Sequence, residues 1–406
     1  MPVRALVLSK VTEAHGAGGM QRHLTWLLEW LAEAGMDLTL LTTSGGALAA
    51  PPGLRCVLMA GTKASRYSRA WWSETRRFVR EQPRDAWDVI VSEDGGAWGV
   101  IEELRHRPDR PPIAMFRHGT TLLNLRQTLP PWRIRALGST LLSLRDYLRH
   151  PRRLGRSVDL MIAPTERIAT SARMEGAGPR TEIRVIPLGV DLARFCPAGD
   201  PGPSRRLLGL DPALPTLSWV GRDVPGKRVD LALSLFEHVI SRGTPVQLLL
   251  AIASPRPSTL ARIAAAQALH GSRVRAVLDA TADQMPTIHN ASSCQLFPST
   301  LAEGVPFAIL EGLACGVPAL VGNTPSLRDL EVFRARPDWI VRTDSLEAWR
   351  ERVVAVLAEP PADARREARA LAEQHYDLRA TARQSVQAIQ ELAARRRVRA
   401  SSPTPS

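Results

Sequence analysis

The 406-residue sequence has only four cysteines, and they are not spaced to bind a metal. Cys56, Cys196, Cys294 and Cys315 are scattered along the chain, without a C-x-x-C pair. Zinc sites usually place cysteines or histidines at short fixed spacings, so the sequence predicts no zinc site. Scattered thiols are typical of a reducing compartment, and we expect a cytoplasmic protein.

Long apolar segments are absent as well. No run in the sequence approaches the roughly 18 consecutive apolar residues that indicate a transmembrane helix. The first residues, MPVRALVLSKV, form a short apolar run without the small-residue cleavage site of a signal peptide. This run predicts a first β-strand, and no membrane-spanning segment is predicted.

Acidic residues are outnumbered by basic ones. The chain has 53 lysines and arginines against 40 aspartates and glutamates, a formal net charge of +13. Residues 104–157 contain twelve arginines and two aspartates, and a second basic cluster, residues 63–84, includes Trp71, Trp72 and Phe78. Basic surface with aromatic side chains suits nucleic acid or an anionic membrane. An arginine-rich surface that is simply solvated is an equally weighted alternative.

Short apolar runs alternate with amphipathic ones, as in βαβ units. A first set of predicted strands comprises ALVLS, DLTLLTT, DVIVSED, PIAMFRHGT, DLMIAPT and EIRVIPLG. After a stretch rich in Pro and Gly, residues 186–203, the second set comprises TLSWVG, VQLLLAIA, RVRAVL, CQLFPS, PALVG and WIVR. The pattern predicts an α/β protein of two doubly wound domains with parallel sheets, whose ligands bind beyond the carboxyl ends of the strands.

The domain boundaries follow from this pattern. Residues 1–195 are predicted to form the N-terminal domain, and residues 196–375 the C-terminal domain. A helix over residues 376–394 is expected to pack back on the N-terminal domain. Residues 395–406 are charged and then rich in Ser and Pro, so this tail is predicted to be disordered.

The segment WVGRDVPGKRVDLAL contains the spacing of a P-loop, G-x-x-x-x-G-K, from Gly221 to Lys227. A P-loop has Ser or Thr after its lysine to bind Mg²⁺, but here Arg228 follows. Pro225 also removes one of the backbone N–H groups that would bind phosphate. We therefore interpret Arg222 and Lys227 as fixed cations that hold a diphosphate without a metal. The alternative is two ordinary surface cations on a loop.

Two further stretches carry groups suited to a phosphorylated, hydroxyl-rich ligand. Gly18 and Gly19 lie between the first predicted strand and helix, where a ligand can approach the backbone and the helix N–H groups. In CQLFPSTLAEGVPFAILEGLACGVPALVG, Glu303 precedes a predicted helix and Glu311 lies within it. Carboxylates accept hydrogen bonds from the adjacent hydroxyls of a sugar or ribose. A helix-capping Glu303 with a solvated Glu311 is the structural alternative.

Taken together, four segments resemble the retaining GT-B glycosyltransferases known as glycosyl transferases group 1, or family 4. They are GGMQRHLTWLLEWLAEAGMDLTLLT, VIPLGVDLARFCP, WVGRDVPGKRVDLAL and EGVPFAILEGLACGVPALVG, and the similarity extends from Val3 to Leu392. The last segment has the family's E-x7-E motif, Glu303 to Glu311. The resemblance implies a GT-B fold: two Rossmann-like domains, an acceptor-binding N-terminal and a nucleotide-sugar-binding C-terminal one, with parallel sheets facing across a cleft.

The resemblance also implies the site residues. Those matching donor-binding positions are Gly18, Gly19, Arg222, Lys227, Leu278, Glu303, Gly304, Val305, Pro306, Phe307 and Glu311. Those matching catalytic positions are His118, Arg222, Lys227 and Glu303. In this assignment Glu303 faces the donor sugar, Glu311 the ribose, and the loop near Leu278 the base. His118, in FRHGT, contacts the sugar or the forming bond. Pro306 stands where many members have Gly, so one backbone donor is missing.

The implied activity is the transfer of a hexosyl group from a nucleoside-diphosphate sugar to an acceptor hydroxyl, with retention of configuration. The resemblance implies no metal and no cofactor, because the cations and the helix N–H groups stabilise the leaving diphosphate. A glycan or lipid-linked acceptor of the cell envelope is expected. The alternative is a non-catalytic protein on a GT-B scaffold that binds a nucleotide sugar or nucleic acid; under the enzyme interpretation no nucleic-acid partner is expected.

The basic N-terminal half is consistent with such an acceptor. The stretch LPPWRIRALGSTLLSLRDYLRHPRRLGR, residues 129–156, alternates apolar and cationic residues at near-helical spacing. Such a stretch can lie on an anionic leaflet, which predicts a peripheral contact with the inner face of the cytoplasmic membrane. An ordinary amphipathic helix packed on the sheet is an equally weighted alternative.

Overall fold

The protein consists of two parallel-sheet units. The computed structural model describes residues 2–15, 18–46, 53–119, 154–301 and 304–401. By internal contacts these residues divide into one unit within Met1–Pro187 and Ala380–Ser406, and another within Leu188–Arg379. Each unit has one parallel sheet with helices, so the predicted α/β class of two doubly wound domains is confirmed.

The first unit is built on a seven-stranded sheet. Its strands are β1 (Arg4–Leu8), β2 (Asp37–Thr43), β3 (Leu54–Met59), β4 (Val89–Glu93), β5 (Ile113–Phe116), β6 (Leu160–Ala163) and β7 (Glu182–Val185). They are all parallel, in the order β3-β2-β1-β4-β5-β6-β7. Helices of this unit in the described ranges include α1 (Gly19–Glu33), α2 (Arg69–Arg80), α3 (Trp98–Leu104) and α4 (Glu166–Glu175).

The second unit has a six-stranded parallel sheet. Its strands are β8 (Thr216–Arg222), β9 (Gln247–Ala253), β10 (Val274–Leu278), β11 (Cys294–Phe297), β12 (Ala319–Gly322) and β13 (Ile340–Val341), in the order β10-β9-β8-β11-β12-β13. Its helices are α5 (Gly202–Leu207), α6 (Val229–Ser241), α7 (Pro257–His270), α8 (Met285–Ala291), α9 (Phe307–Ala314), α10 (Pro325–Arg328), α11 (Glu331–Ala335), α12 (Leu346–Ala358) and α13 (Pro361–His375).

The central strands are largely buried and rich in apolar residues because helices cover both faces of each sheet. In β1, all four residues from Ala5 to Leu8 are fully buried. Ala5 and Val7 belong to the core layer that includes α1, whereas Leu6 and Leu8 belong to the opposite layer with α2 and α3. The two-residue alternation of a strand thus supplies both layers from one apolar run.

The structure has one strand in the described ranges that the sequence analysis does not predict. All twelve predicted runs correspond to observed strands, but β3 is missing from the prediction. β3 lies at the edge of its sheet, and Arg55 and Leu58 are exposed. Residues 56–60 of this segment, CVLMA, are apolar, but within the strand only Leu54 and Met59 are buried.

The last helix, α14 (Leu378–Ser401), starts in the second unit and continues into the first. Its Ile389 and Leu392 are buried in the same core layer as α1. In the structure the helix continues as far as Ser401, and Arg395 forms a 2.8 Å ion pair with Glu182. The disorder expected from residue 395 onward stays a prediction. Residues 402–406 lie outside the described residues.

The structure describes the basic segment 63–84 in full, and residues 104–119 and 154–157 of the basic segment 104–157. Residues 129–153 of the predicted membrane-binding stretch lie outside the described residues. The segment with residues 63–84 contains α2, whose Trp71 is fully buried. Arg76 and Arg80 pair with Glu103 of α3. Their hydrogen bonds, that of Arg80 first, lower the pKa of Glu103 to about 2, so part of this positive charge is neutralised locally.

The helices in the described ranges differ from membrane-spanning helices in length or in composition. None of those in the described ranges has both the length and the apolar composition of a membrane-spanning helix. This agrees with the absence of long apolar runs in the sequence.

Candidate functional site

Each sheet has a topological switch point. On one side of this point the strand order runs in one direction along the sheet, and on the other side it runs in the opposite direction. In the first sheet the switch point lies between β1 and β4, and in the second it lies between β8 and β11. Ligands of open α/β sheets bind in the crevice outside the carboxyl ends of the strands at such a point. Each unit therefore has one place where its topology favours a ligand.

Both predicted cations lie at the switch point of the second sheet. Arg222 is the last residue of β8 and is exposed. Lys227 ends the 3-10 turn Pro225–Lys227, which follows β8. Its Nζ lies 5.5 Å from the ring centroid of Phe297, the last residue of β11. Because the face of an aromatic ring attracts a cation, this contact holds the ammonium group where the two strands end.

The loop after β8 is hydrogen-bonded to, and packed against, the loop after β11. The carbonyl of Gly226 accepts hydrogen bonds from the backbone N–H of Thr300, at 2.8 Å, and from its hydroxyl, at 3.3 Å. The side chain of Leu301 packs so tightly on Gly226 that a Cβ there would lie 2.2 Å from its Cδ2. These contacts place Lys227 beside the segment that leads to Glu303, which itself lies outside the described residues.

The predicted backbone donors lie where α9 begins. Val305 is buried, and Pro306 is the N-cap residue, with φ −76° and ψ 112°. Proline has no N–H, so the backbone N–H groups at the start of this helix begin with that of Phe307. The N-terminus of a helix favours an anion, and Gly304 precedes this turn. Phosphate binding at this part of the site stays a prediction, with one donor fewer than a glycine at position 306 would give.

Glu311, predicted at the ribose, lies on α9 with only 2 % of its surface exposed. Its Oε2 is 3.3 Å from Nε2 of His289, which lies on α8 and is fully buried. The sequence analysis does not identify His289. The only signal for it is a histidine at the end of an otherwise uncharged helix, MPTIHNA. Contact of Glu311 with a ribose stays a prediction.

Leu278, predicted near the base, is the last residue of β10 and is 46 % exposed. The following Asp279 has a φ of +47°, and its carboxylate accepts a 2.8 Å hydrogen bond from the N–H of Ser254. This turn holds an apolar side chain at the carboxyl edge of the sheet. Only β9 separates β10 from β8, so the backbone of Leu278 lies about 10 Å along the sheet from the end of β8, where Arg222 is.

The switch point of the first sheet holds the other predicted residues. Gly18 is the N-cap residue of α1, and Gly19 is its first residue. His118 follows the end of β5 by two residues, next to β4 in the sheet. His23, in the second turn of α1, has its ring centroid 4.7 Å from that of His118. The structure therefore brings the start of α1 and His118 together.

A buried carboxylate joins these two histidines. Glu93 is the last residue of β4 and is fully buried. Its Oε1 accepts a 3.2 Å hydrogen bond from Nδ1 of His23, and its Oε2 accepts a hydrogen bond from Nε2 of His118. The sequence analysis identifies neither Glu93 nor His23. The available signal for Glu93 is a charge at the end of a predicted strand, two residues after the apolar run VIV.

Glu93 and His118 shift each other's pKa. Burial alone would raise the pKa of Glu93, but the two imidazoles, His118 before His23, outweigh it and lower this pKa to about 2. Burial likewise disfavours the charged form of His118, yet Glu93, with help from Asp94, raises its pKa above the ordinary value. Glu93 is therefore ionised at neutral pH, and His118 stays protonated to a higher pH than an ordinary imidazole.

Among the described residues, His23, Glu93 and His118 are also arranged so that they could bind a metal ion. Their donor atoms all lie within 4.8 Å of one another. Imidazole and carboxylate are common zinc ligands. In this structure, however, each carboxylate oxygen of Glu93 accepts a hydrogen bond from one imidazole. We therefore interpret the trio as an ion-paired cluster, and the predicted metal independence stays a prediction.

Comparison with known families gives two matches. The family model Glycosyltransferase Family 4 matches residues 17–194, and the model Glycosyl transferases group 1 matches residues 214–359. The chain is also similar to the D-inositol 3-phosphate glycosyltransferase of Rhodococcus opacus (strain B4), with 31 % identity over 217 residues. That alignment covers 50 % of this chain and 48 % of the relative. The chain thus spans about half the length of the curated relatives it matches.

Solved structures resemble the whole chain. Sucrose-phosphate synthase from Thermosynechococcus elongatus has a TM-score of 0.75 and 19 % identity, covering 97 % of this chain and 100 % of that one. HepE from Anabaena, solved in complex with UDP and glucose, has a TM-score of 0.68 and 14 % identity, covering 96 % and 100 %. At these identities the likeness shows the fold, and the predicted GT-B fold is confirmed.

Proposed function

We propose that this chain, which belongs to the glycosyl transferases group 1, transfers a sugar from a nucleoside-diphosphate sugar to an acceptor hydroxyl and retains the anomeric configuration. One observation carries the proposal. Arg222 and Lys227 lie at the switch point of the second sheet, and the Lys227 loop is fastened beside the segment that leads to Glu303. Cations and helix N–H groups that converge at one sheet edge suit a diphosphate.

The proposed mechanism relies on charge stabilisation. The leaving diphosphate gains negative charge as its bond to the sugar stretches. Preorganised cations, Arg222 and Lys227, and the N–H groups that start at Phe307 stabilise this charge. The leaving phosphate oxygen takes the proton of the acceptor hydroxyl on the same face of the sugar, so no separate protein base is needed. Glu303 faces the sugar hydroxyls in this proposal, and Glu311 the ribose.

The similar proteins suggest which substrates to test first. HepE was solved with UDP and glucose, so UDP-glucose is the first donor. The name of the Rhodococcus relative includes an inositol phosphate, so phosphorylated inositols are the first acceptors. A glycan or lipid-linked acceptor of the cell envelope, as the resemblance implies, forms the second group.

A donor panel tests the proposal. The purified protein would be incubated with UDP-, GDP- and ADP-sugars, with and without acceptors, and the products read by mass spectrometry. We expect release of the nucleoside diphosphate from one donor class and a glycosylated acceptor with the starting anomeric configuration. If no donor is consumed and the protein binds nucleic acid with an affinity that falls steeply with salt, the non-catalytic alternative is correct.

We predict that this transfer does not need a divalent ion. Arg222 and Lys227 supply the positive charge that Mg²⁺ supplies in other phosphate sites, so EDTA should change the initial rate by less than about twofold. The check is the initial rate with EDTA, with Mg²⁺ and with neither. Loss of activity in EDTA that added Mg²⁺ restores would contradict the role given to the two cations.

Peripheral membrane contact is a further prediction, from residues 129–156. We expect the protein to co-sediment with liposomes that contain acidic lipid, and to be released at high salt, because arginines bind anionic headgroups electrostatically. Neutral phosphatidylcholine liposomes are the control. Equal binding to both liposome types, or binding unaffected by salt, would contradict the prediction.

A further inference from the structure

We propose that Glu93 is the positioning residue of His118, which it turns so that Nε2 faces the protein interior and Nδ1 faces the ligand as a hydrogen-bond donor. The inference deepens the proposed function and rests on it for the identity of that ligand, the sugar donor. The inference gives a role to Glu93, which is fully buried at the switch point of the first sheet.

Two consecutive carboxylates hold His118 at two separate points. Oε2 of Glu93 accepts the ring N–H of Nε2, and Oδ1 of Asp94 accepts the backbone N–H of His118 at 3.1 Å. Adjacent residues of a strand normally point to opposite faces, so an extended backbone could not aim both at one partner. Asp94 has a φ of +46°, in the left-handed region that non-glycine residues seldom adopt. This turn directs both carboxylates to His118.

The backbone around Glu93 is fixed as well. The hydroxyl of Tyr67 donates a 2.5 Å hydrogen bond to the Glu93 carbonyl. Just beyond, a Cβ on Gly96 would lie 2.9 Å from both the carbonyl oxygen of Leu8 and Oη of Tyr67. Only glycine lets the turn approach β1 this closely. Glu93 is therefore held rigidly enough to orient another side chain.

The second histidine holds the carboxylate from its other side. Nδ1 of His23 donates to Oε1 of Glu93, while Nε2 of His118 donates to Oε2. The His23 ring also packs edge-on against His118 and Phe116, at centroid distances of 4.7 and 5.0 Å. A carboxylate bound at both oxygens cannot rotate without losing one of these bonds. The orientation of the His118 ring therefore follows from the fold.

The charges around His118 favour the protonated ring. Glu93 and Asp94 face it from the turn after β4, and His23 faces it from α1. On its own segment Arg117 opposes protonation, but that guanidinium forms a 2.6 Å ion pair with Glu175. Together these groups raise the pKa of His118 even though burial acts in the opposite direction. The ring is consequently an imidazolium below that raised pKa.

This arrangement decides what His118 offers a ligand. With Nε2–H donated to Glu93, Nδ1 is the remaining ring nitrogen, and it makes no hydrogen bond to any residue in the described ranges. The side chain keeps 15 % of its surface exposed. In the imidazolium, Nδ1 carries a proton and donates to an oxygen of the donor sugar or its phosphate. In the neutral ring with Nε2–H retained, Nδ1 could only accept.

The wild-type protein allows a test that needs no substrate. Histidines labelled with ¹⁵N and ¹³C would be followed by NMR across pH 5 to 9, with the His118 signals assigned by their loss in His118→Asn. We expect His118 to titrate above the ordinary histidine value and to keep its proton on Nε2 when neutral. Titration below the ordinary value, or a neutral ring protonated on Nδ1, would overturn the inference whether or not the chain transfers sugar.

A variant series tests the consequence for catalysis. Glu93→Gln keeps the size of the side chain but removes its charge, so burial lowers the pKa of His118 and the imidazolium is lost at high pH. We expect kcat to fall about 100-fold at pH 8 and clearly less at pH 6, with KM little changed. Glu81→Gln, an exposed glutamate of the same unit, is the matched control.

The pH dependence separates positioning from a purely structural role. A structural defect would lower kcat by the same factor at every pH and would appear in the circular dichroism spectrum. An equal loss at pH 6 and pH 8 would therefore overturn the inference. If Glu93→Gln does not fold, the wild-type NMR titration decides alone. A wild-type protein that titrates as expected but consumes no sugar nucleotide refutes the proposed function and leaves the positioning of His118 supported.

Discussion

Lys227→Ala is expected to lower kcat at least about 100-fold while the protein stays folded. The ammonium group is held at the ends of β8 and β11 by the Phe297 ring. One preorganised group that stabilises a developing negative charge contributes about 3 kcal/mol to the transition state, which corresponds to this loss. The measurement is kcat with the donor identified in the panel, together with a thermal melt.

Two further variants sharpen this experiment. Lysine is rare in the chain: only Lys10, Lys63 and Lys227 occur among 53 basic residues. Lys63→Ala removes another, exposed lysine and should leave kcat unchanged. Lys227→Arg keeps the charge but replaces a compact ammonium group with a planar guanidinium group. We expect this variant to retain only part of the wild-type kcat. Wild-type turnover in Lys227→Ala would remove this residue from the site.

Glu303→Ala is expected to abolish transfer with a similarly small effect on folding. The residue belongs to the E-x7-E pattern, between Leu301, which packs on Gly226, and Gly304, which leads into α9. A carboxylate at this point would accept hydrogen bonds from the sugar hydroxyls as the sugar gains positive charge in the transition state. Loss of that interaction should reduce kcat by more than about 100-fold.

Donor binding separates this role from a structural one. Nucleoside diphosphate, which lacks the sugar, should bind Glu303→Ala with nearly wild-type affinity, as measured by calorimetry. Glu237→Ala, on the exposed surface of α6, is the matched control and should transfer sugar normally. If Glu303→Ala keeps wild-type kcat, or if it loses affinity for the diphosphate alone, the proposed contact with the sugar is wrong.

The sequence predicts the fold well because strands that are buried on both faces of a sheet contain runs of apolar residues. β1 and β9 are continuous apolar runs, and each can be recognised without knowing its neighbours. β3 is missed because Arg55 interrupts its apolar residues, and its pairing with β2 at the sheet edge leaves Arg55 and Leu58 exposed. The helical continuation of α14 past residue 394 also depends on distant partners, such as Glu182 for Arg395.

The residues of the candidate site also fall into two groups, those that the sequence identifies and those that only the structure identifies. Arg222, Lys227 and the residues around Glu303 lie directly after strands within recognisable spacings, so the sequence points to them. Glu93 and His23 gain their importance from contacts with residues 25 and 70 positions apart in the chain. No local pattern encodes that β4 and β5 are neighbours, or that the second turn of α1 lies beside them.

The division of the chain between the two units has a consequence for synthesis. The first unit takes its strands from the N-terminal part of the chain, but α14, which contributes Ile389 and Leu392 to its core, follows the entire second unit. A ribosome adds about 5–20 residues per second, so Leu188–Arg379 takes roughly 10 to 40 seconds to make. During that interval the nascent first unit has an uncovered apolar face, a natural binding surface for a chaperone.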